Sequence, residues 1–232
     1  MKTIVRAVLA VLICYTGYTS EQIEEYKEAQ RLIELGRRAE AKNILKDLSN
    51  KNSQWGIVHL EYAINCIYLE CPDKEIEEYL SKAEALLKDN PRLYYYRGLF
   101  MEHLNKETAL KFYNKAISLR PSYTDALIRA CSLYIEKGDY QSAISYYDSI
   151  PDTMKSSTLV LRMVDLLVEH KDYQRAEKEL IALTKLHPDN EMYLTKLRDF
   201  YSLTGKNNRA KDVDRRINSL SPRKKRYMRP LR

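Results

Sequence analysis

Glycine, proline and phenylalanine are scarce in this chain, whose 232 residues include six Gly, seven Pro and three Phe. Sheets connected by tight hairpins need Gly and Pro at their turns, so this scarcity disfavours a hairpin-rich β fold. Hydrophobic residues make up 44% of the chain, which is enough for a core without the composition of a membrane protein. The composition therefore predicts an all-α globular protein.

Motifs of known catalytic sites are also missing. No H-E-x-x-H, G-x-x-x-x-G-K-[ST], G-x-S-x-G or G-x-G-x-x-G pattern occurs, and no acid or nucleophile recurs at a fixed interval from a histidine. The four histidines are His59, His103, His170 and His187. We expect neither catalytic activity nor a bound cofactor or metal ion.

The four cysteines have neither the C-x-x-C spacing of a zinc or redox site nor the density of a disulfide scaffold. Cys66 and Cys71 are five residues apart in a segment with a helical pattern, which places them about 140° apart around a helix. On this geometry they do not converge on one ligand. We therefore expect Cys66, Cys71 and Cys131 to be small buried residues.

The formal charge of +7 comes almost entirely from the last twelve residues, SPRKKRYMRPLR, which contain no acid. Their basic residues are Arg223, Lys224, Lys225, Arg226, Arg229 and Arg232, and the remainder of the chain carries +1. This basic tail could lie on an anionic membrane surface, fold back into an acidic groove, or bind RNA or DNA phosphates. Nucleic acid ranks last, because no base-reading element accompanies the tail.

The N-terminus, MKTIVRAVLAVLICYTGYTS, has the layout of a secretory signal, since Lys2 and Arg6 precede an apolar run that ends at Cys14. A helix from residue 7 to 20 would be about 21 Å long, shorter than the hydrocarbon core of about 30 Å. No A-x-A cleavage pattern follows, and the run before Cys14 resembles a lipobox only loosely. We predict that residues 1–20 are a signal peptide or membrane anchor, with Cys14 as a possible lipidation site. The alternative is an apolar first helix in a cytoplasmic protein.

A repeat of 34 residues runs through the rest of the chain. Its most visible part is the pair KGDYQSA at 137–143 and HKDYQRA at 170–176. Stepping from the Ala that ends each copy gives three columns in phase: Ala41, Ala109, Ala143, Ala176 and Ala210; Gly36, Gly138 and Gly205; and Pro121, Pro188 and Pro222. A period of this length in a helical sequence predicts an array of stacked helical hairpins. Each Pro is expected to end the second helix of its hairpin, and Asp-Tyr-Gln is expected to serve packing and turn formation.

These columns resemble those of the tetratricopeptide repeat, a helical hairpin with a small residue at its eighth position, Tyr at the eleventh, Gly at the fifteenth, Ala at the twentieth and Pro at the thirty-second. Units would start near residues 22, 56, 90, 124, 157 and 191, and the fourth matches best, at Cys131, Tyr134, Gly138 and Ala143. The second unit is expected to be irregular, because Glu75 stands where Ala is expected. The resemblance implies an all-α, right-handed α-solenoid of about six hairpins over residues 21–220, followed by the tail at 221–232.

In proteins of this kind the first helix of each hairpin lines a groove, into which positions 5, 9, 12 and 13 point. The resemblance assigns aliphatic and acidic residues to this groove in the last three units: Ile128, Ile135, Glu136, Leu161, Asp165, Val168, Glu169 and Asp199. The chaperone-binding subgroup uses a Lys/Asn/Arg clamp, but its first two positions here are Ile128 and Ser132, or Leu161 and Asp165. A partner protein is therefore expected to offer a basic or amphipathic peptide or helix. The alternative is that these acids form only a solvated face.

The function implied by the resemblance is that of a non-catalytic adaptor or scaffold for protein–protein interaction. If the chain is exported, it is similar to the repeat lipoproteins that help to assemble pili, secretion machines or motility apparatus in bacterial envelopes. The alternatives are a cytoplasmic adaptor or co-chaperone-like protein, and a protein that binds RNA, DNA or anionic membranes through its basic tail.

Overall fold

A computed structural model describes the backbone of residues 18–227 and the side chains as far as Leu220. Most of the predicted signal or anchor, including Cys14, lies outside the described residues. Arg229 and Arg232 also lie outside them, as do the side chains of the other four basic residues of the tail. Within the described part, no helix combines the length and apolar character needed to cross a bilayer.

The described residues form two compact units, which divide after Tyr123, and each unit consists of three helical hairpins. The helices of the first unit are α1 (Ser20–Glu34), α2 (Arg38–Lys51), α3 (Gly56–Tyr68), α4 (Asp73–Leu86), α5 (Pro91–Met101) and α6 (Lys106–Leu119). Those of the second unit are α7 (Thr124–Lys137), α8 (Tyr140–Ser149), α9 (Ser157–Glu169), α10 (Tyr173–Leu186), α11 (Glu191–Leu203) and α12 (Asn207–Tyr227), with a short 3-10 helix at Asp152–Met154. No strand occurs between residues 18 and 227, and the predicted fold class is confirmed.

Short polar side chains begin many of these helices. At α1, Thr19 accepts a hydrogen bond from the backbone N–H of Gln22 at 3.1 Å, and the Gln22 side chain accepts one in return from the Thr19 N–H at 3.0 Å. This reciprocal pair is a capping box, which satisfies two N–H groups that the first turn leaves without partners. Single caps start other helices, from Asn90, Asn105, Asp139, Ser156, Asp172 and Asn190.

In five hairpins a left-handed residue follows the first helix, and in three of them this residue belongs to the glycine column. Gly36, Gly138 and Gly205 have φ values of 76°, 73° and 72°, while Glu70 and Lys171 occupy the same position with φ values of 52° and 60°. The N–H of the following residue donates back to a carbonyl five residues earlier, at distances between 2.8 and 3.0 Å in all five turns. This bond satisfies a free carbonyl at the helix end and turns the chain into the second helix.

Small residues sit where the two helices of a hairpin approach each other. Ala41, Ala109, Ala143 and Ala176 are fully buried, and Ala210 is 6% exposed. In the third hairpin a glycine has a similar role, because a Cβ added to Gly98 would lie 2.5 Å from the Tyr113 ring. A larger residue at any of these positions would force the helices apart.

The proline column is wrong in one place. Pro121 and Pro188 follow a second helix, as predicted, but α12 continues past Pro222 to Tyr227. After Pro121 and Pro188 the chain turns and begins another helix within a few residues. A proline removes one N–H donor and can kink a helix without ending it.

Candidate functional site

The first helices of the second unit, α7, α9 and α11, carry the residues predicted to face a partner. Two polar contacts connect them directly. Arg162 on α9 donates to the backbone carbonyl of Ser132 on α7 at 3.0 Å, and Lys196 on α11 lies 2.5 Å from the carboxylate of Asp165 on α9. These contacts fix the spacing of three successive first helices.

The eight predicted residues share one pattern of exposure, and we call them the first-helix face. Its four aliphatic side chains, Ile128, Ile135, Leu161 and Val168, are half-buried. Its four acids, Glu136, Asp165, Glu169 and Asp199, are exposed. The face therefore offers apolar surface that the hairpins leave partly uncovered, bordered by carboxylates.

Basic residues outside the predicted set partly neutralise the negative charge of this face. Asp165 pairs with Lys196, and Asp199 lies 2.7 Å from Arg198, which also contacts Asp214 at 3.3 Å. Glu169 takes part in none of the ion pairs found among the residues with described side chains. In the sequence, only the spacing of Asp165 and Lys196, which is slightly less than one repeat, indicates that these two residues can meet on neighbouring first helices.

The duplicated heptapeptides belong to the packing of the second unit, as expected. In each copy the aspartate caps the second helix, with Asp139 accepting from the Ser142 N–H at 3.1 Å and Asp172 from the Arg175 N–H at 3.2 Å. The copies are also bonded to each other, because the Tyr140 hydroxyl donates to Asp172 at 2.9 Å. The motif therefore fastens the fourth hairpin to the fifth.

The cysteines behave differently from one another. Cys131 is fully buried in α7, and burial raises the pKa of its thiol to about 12, so it is the small unreactive residue that the sequence predicts. For Cys66 and Cys71 the prediction that they diverge is wrong. Their sulfur atoms and a carboxylate oxygen of Glu75 all lie within 4.8 Å of one another. A continuous helix would separate the two cysteines, but α3 ends at Tyr68 and Glu70 turns the chain back.

Comparisons with known proteins bear on the fold. No family model matches the chain. Over 165 residues it is 26% identical to a Tetratricopeptide repeat protein 21 homolog of Caenorhabditis briggsae, a match that covers 70% of this chain and only 12% of that relative.

Solved structures give broader coverage. The C-terminal part of a TPR repeat-containing protein from Cytophaga hutchinsonii matches with a TM-score of 0.70 and 15% identity, over 84% of this chain and 78% of that one. PilW, described as a widely conserved type IV pilus biogenesis factor, matches with a TM-score of 0.63 and 13% identity, over 88% of this chain and 96% of PilW. By its repeat register and its helical hairpins, the chain has the fold of tetratricopeptide-repeat proteins.

Proposed function

We propose that this protein is a non-catalytic scaffold that binds another protein through the first-helix face of its second unit. One observation carries the proposal. Four aliphatic side chains on two successive first helices stay half-buried within the unit, and exposed carboxylates border them. Covering partly exposed apolar surface provides affinity, while the surrounding charges select the partner and speed its association.

The chemistry of the face favours a partner segment that is amphipathic and basic. Leu161 and Val168 offer apolar contact on α9, and the exposed carboxylate of Glu169 lies on the same helix. Lys196 already neutralises Asp165, so a partner with many acidic groups would meet repulsion from Glu169 and little compensation. A short amphipathic helix with Lys or Arg along one edge satisfies both requirements.

Synthetic peptides test this proposal directly. An amphipathic helical peptide with a Lys edge is compared with a peptide of the same apolar face and a Glu edge, by fluorescence anisotropy at low and physiological salt. We expect the basic peptide to bind more tightly and to weaken as salt rises, because exposed charges are screened. Equal binding of the two peptides would contradict the proposed face.

A charge-reversal variant with a matched control locates the binding. Asp165→Lys with Glu169→Lys should weaken the basic peptide about tenfold, from two reversed charges worth roughly 0.5–1 kcal/mol each. The control reverses Asp189 and Asp212, which are exposed acids of the same unit outside the face, one of them paired with Arg215. The control should bind as the unmodified protein does. An equal loss in both variants would mean that net charge alone controls the binding.

We further propose that the bound complex belongs to a cell envelope, of the pilus, secretion or motility type. Two observations support this assignment: the likeness in fold to PilW, and the Lys2 and Arg6 pair before the apolar run at the N-terminus. The mass of the mature N-terminus tests it, and we expect removal or lipid modification of the leader near Cys14. An intact Met1 in the cytosolic fraction would instead support the cytoplasmic adaptor.

A further inference from the structure

The turn between α3 and α4 folds one cysteine back over another. Helix α3 ends at Tyr68, and Glu70 adopts a left-handed conformation with φ 52°. The N–H of Cys71 then donates to the carbonyl of Cys66 at 2.9 Å. This bond holds the two cysteines on the same side of the turn, although a continuous helix would have separated them.

A carboxylate completes the cluster from the next helix. Glu75 lies in the first turn of α4, and one ligand atom from each of Cys66, Cys71 and Glu75 lies within 4.8 Å of the other two. A tetrahedral zinc ion with Zn–S bonds of about 2.3 Å holds its ligand atoms roughly 3.5–3.9 Å apart. The ligand atoms must therefore move closer together by roughly 1 Å at most when the ion binds.

We propose that Cys66, Cys71 and Glu75 form a binding site for a thiophilic divalent cation, with Zn²⁺ as the best fit. Two thiolates select zinc over magnesium or calcium, and a carboxylate is an accepted third ligand. The fourth position is left for water or for a group of a bound molecule, as in zinc sites that have three protein ligands.

A neighbouring lysine keeps the net charge of the site balanced. Lys42 Nζ lies 3.1 Å from Cys71 Sγ and 3.8 Å from Glu75. With protonated thiols, the Lys42 ammonium balances Glu75. When Zn²⁺ binds, each thiol gives its proton to the buffer, and two thiolates, one carboxylate, Zn²⁺ and the ammonium again sum to zero. The partly buried cluster thus keeps the same net charge in both states, which avoids the cost of burying an uncompensated ion.

The hydrogen bonding around Glu75 has the form of a supporting shell. The fully buried Tyr62 donates its hydroxyl to the Glu75 carboxylate, which fixes the orientation of a ligand group. Glu75 also occupies the column at which five other hairpins bury Ala. Placing an ionisable group there costs desolvation that Ala avoids, and coordination of a cation would offset this cost.

Cobalt is a suitable probe because Co²⁺ occupies zinc sites and, unlike zinc, absorbs visible light. We expect the reduced full chain to take up one equivalent of Co²⁺ with tetrahedral absorption and a sulfur-to-cobalt charge-transfer band, and Zn²⁺ to abolish both. Zinc titration calorimetry in two buffers of different ionisation enthalpy should show release of about two protons per metal ion. Absence of the charge-transfer band from the reduced protein would overturn the proposal. This outcome would count against the site even if Cys66 and Cys71 form a disulfide when the protein is exposed to air.

Variants assign the ligands. Cys71→Ser should lose part of the charge-transfer band and bind at least about tenfold more weakly, whereas Glu75→Gln should bind more weakly but keep the band. The matched control is Cys131→Ala, which removes a buried thiol from the other unit and should bind as the unmodified chain does. Unchanged binding by Cys71→Ser, or an equal loss in Cys131→Ala, would refute the assignment.

The unmodified chain provides a test that does not depend on whether the variants fold. Cys71 is partly exposed in the described structure. Stoichiometric Zn²⁺ should therefore slow alkylation of Cys71 at least about tenfold, as measured by peptide mapping, since a coordinated thiolate is withheld from the reagent. An unchanged alkylation rate at saturating Zn²⁺ would overturn the site.

Discussion

Replacing Lys171 by Gly is expected to stabilise the second unit. Lys171 follows the end of α9 with φ 60°, at the position where the fourth hairpin has Gly138 with φ 73°. The left-handed conformation costs a residue with a Cβ about 1–2 kcal/mol. Glycine adopts this conformation without that cost, but its greater conformational freedom in the unfolded chain lowers the free energy of unfolding by about 0.4–1 kcal/mol. The difference predicts a gain of about 0.5–1 kcal/mol in the free energy of unfolding.

Urea unfolding followed by circular dichroism measures this gain, and the midpoint of thermal unfolding should rise by about 1–4 °C. The reverse change, Gly138→Ala, is the matched control. A Cβ at Gly138 would meet no atom within 4 Å, so only the backbone conformation should oppose it, at about 1 kcal/mol. Destabilisation by Lys171→Gly, or a neutral Gly138→Ala, would refute the assignment of strain to these helix ends.

Three further changes test packing, the bond between repeats and a buried histidine. Gly98→Ala would place a Cβ 2.5 Å from the Tyr113 ring and should lower the free energy of unfolding by about 1–3 kcal/mol. An unchanged midpoint of thermal unfolding would contradict this close approach. Tyr140→Phe removes the 2.9 Å hydrogen bond to Asp172 and should lower the free energy of unfolding, measured with urea, by about 1 kcal/mol. An unchanged free energy of unfolding would show that water replaces this hydrogen bond. Burial lowers the pKa of His59 in the folded protein, so as the pH falls the unfolded chain is protonated at this histidine before the folded protein is. The free energy of unfolding should therefore decrease as the pH drops below about 6.5. His59→Gln should flatten this part of the pH profile, and an identical profile would exclude His59 as the cause.

The repeat register could be predicted from the sequence because its signals are local. A Gly such as Gly138 is favoured where a helix ends in a left-handed turn, and an Ala such as Ala143 is favoured where two helices touch. Each requirement acts on one position and recurs with each hairpin. Residue type and spacing therefore predict a recurring turn and a recurring close contact between helices.

The cysteine cluster could not be predicted because it depends on a helix end that lacks the expected signal. Glu70 and Lys171 both adopt the left-handed conformation without being glycine. Lys171 lies inside a repeat that is regular enough to predict the turn, but the second hairpin, which contains Glu70, lacks such a regular pattern. The sequence pattern therefore predicts a continuous helix through Cys66 and Cys71. Such a helix would separate two side chains that the turn brings together.

The ion pairs on the first-helix face were missed for a related reason. The pairing of Lys196 with Asp165 depends on how far one helix is displaced along the next, and not on either residue's place in its own repeat. Small differences in loop length change such contacts while the hairpins stay the same. The first-helix face stays a prediction, and its ion pairs leave it less negative than its residue types alone indicate.

Glu75 shows how a departure from a repeat can be informative. A substitution that serves only packing would be apolar, since the position is buried against the first helix in the other hairpins. Glu75 is instead held by Tyr62 and faces two thiols, so the repeat is broken by groups that can act together as ligands. Regular hairpins need their small residues for close packing and leave little room for polar chemistry inside. The irregular hairpin is therefore where a repeat protein can hold a metal ion without weakening its neighbours.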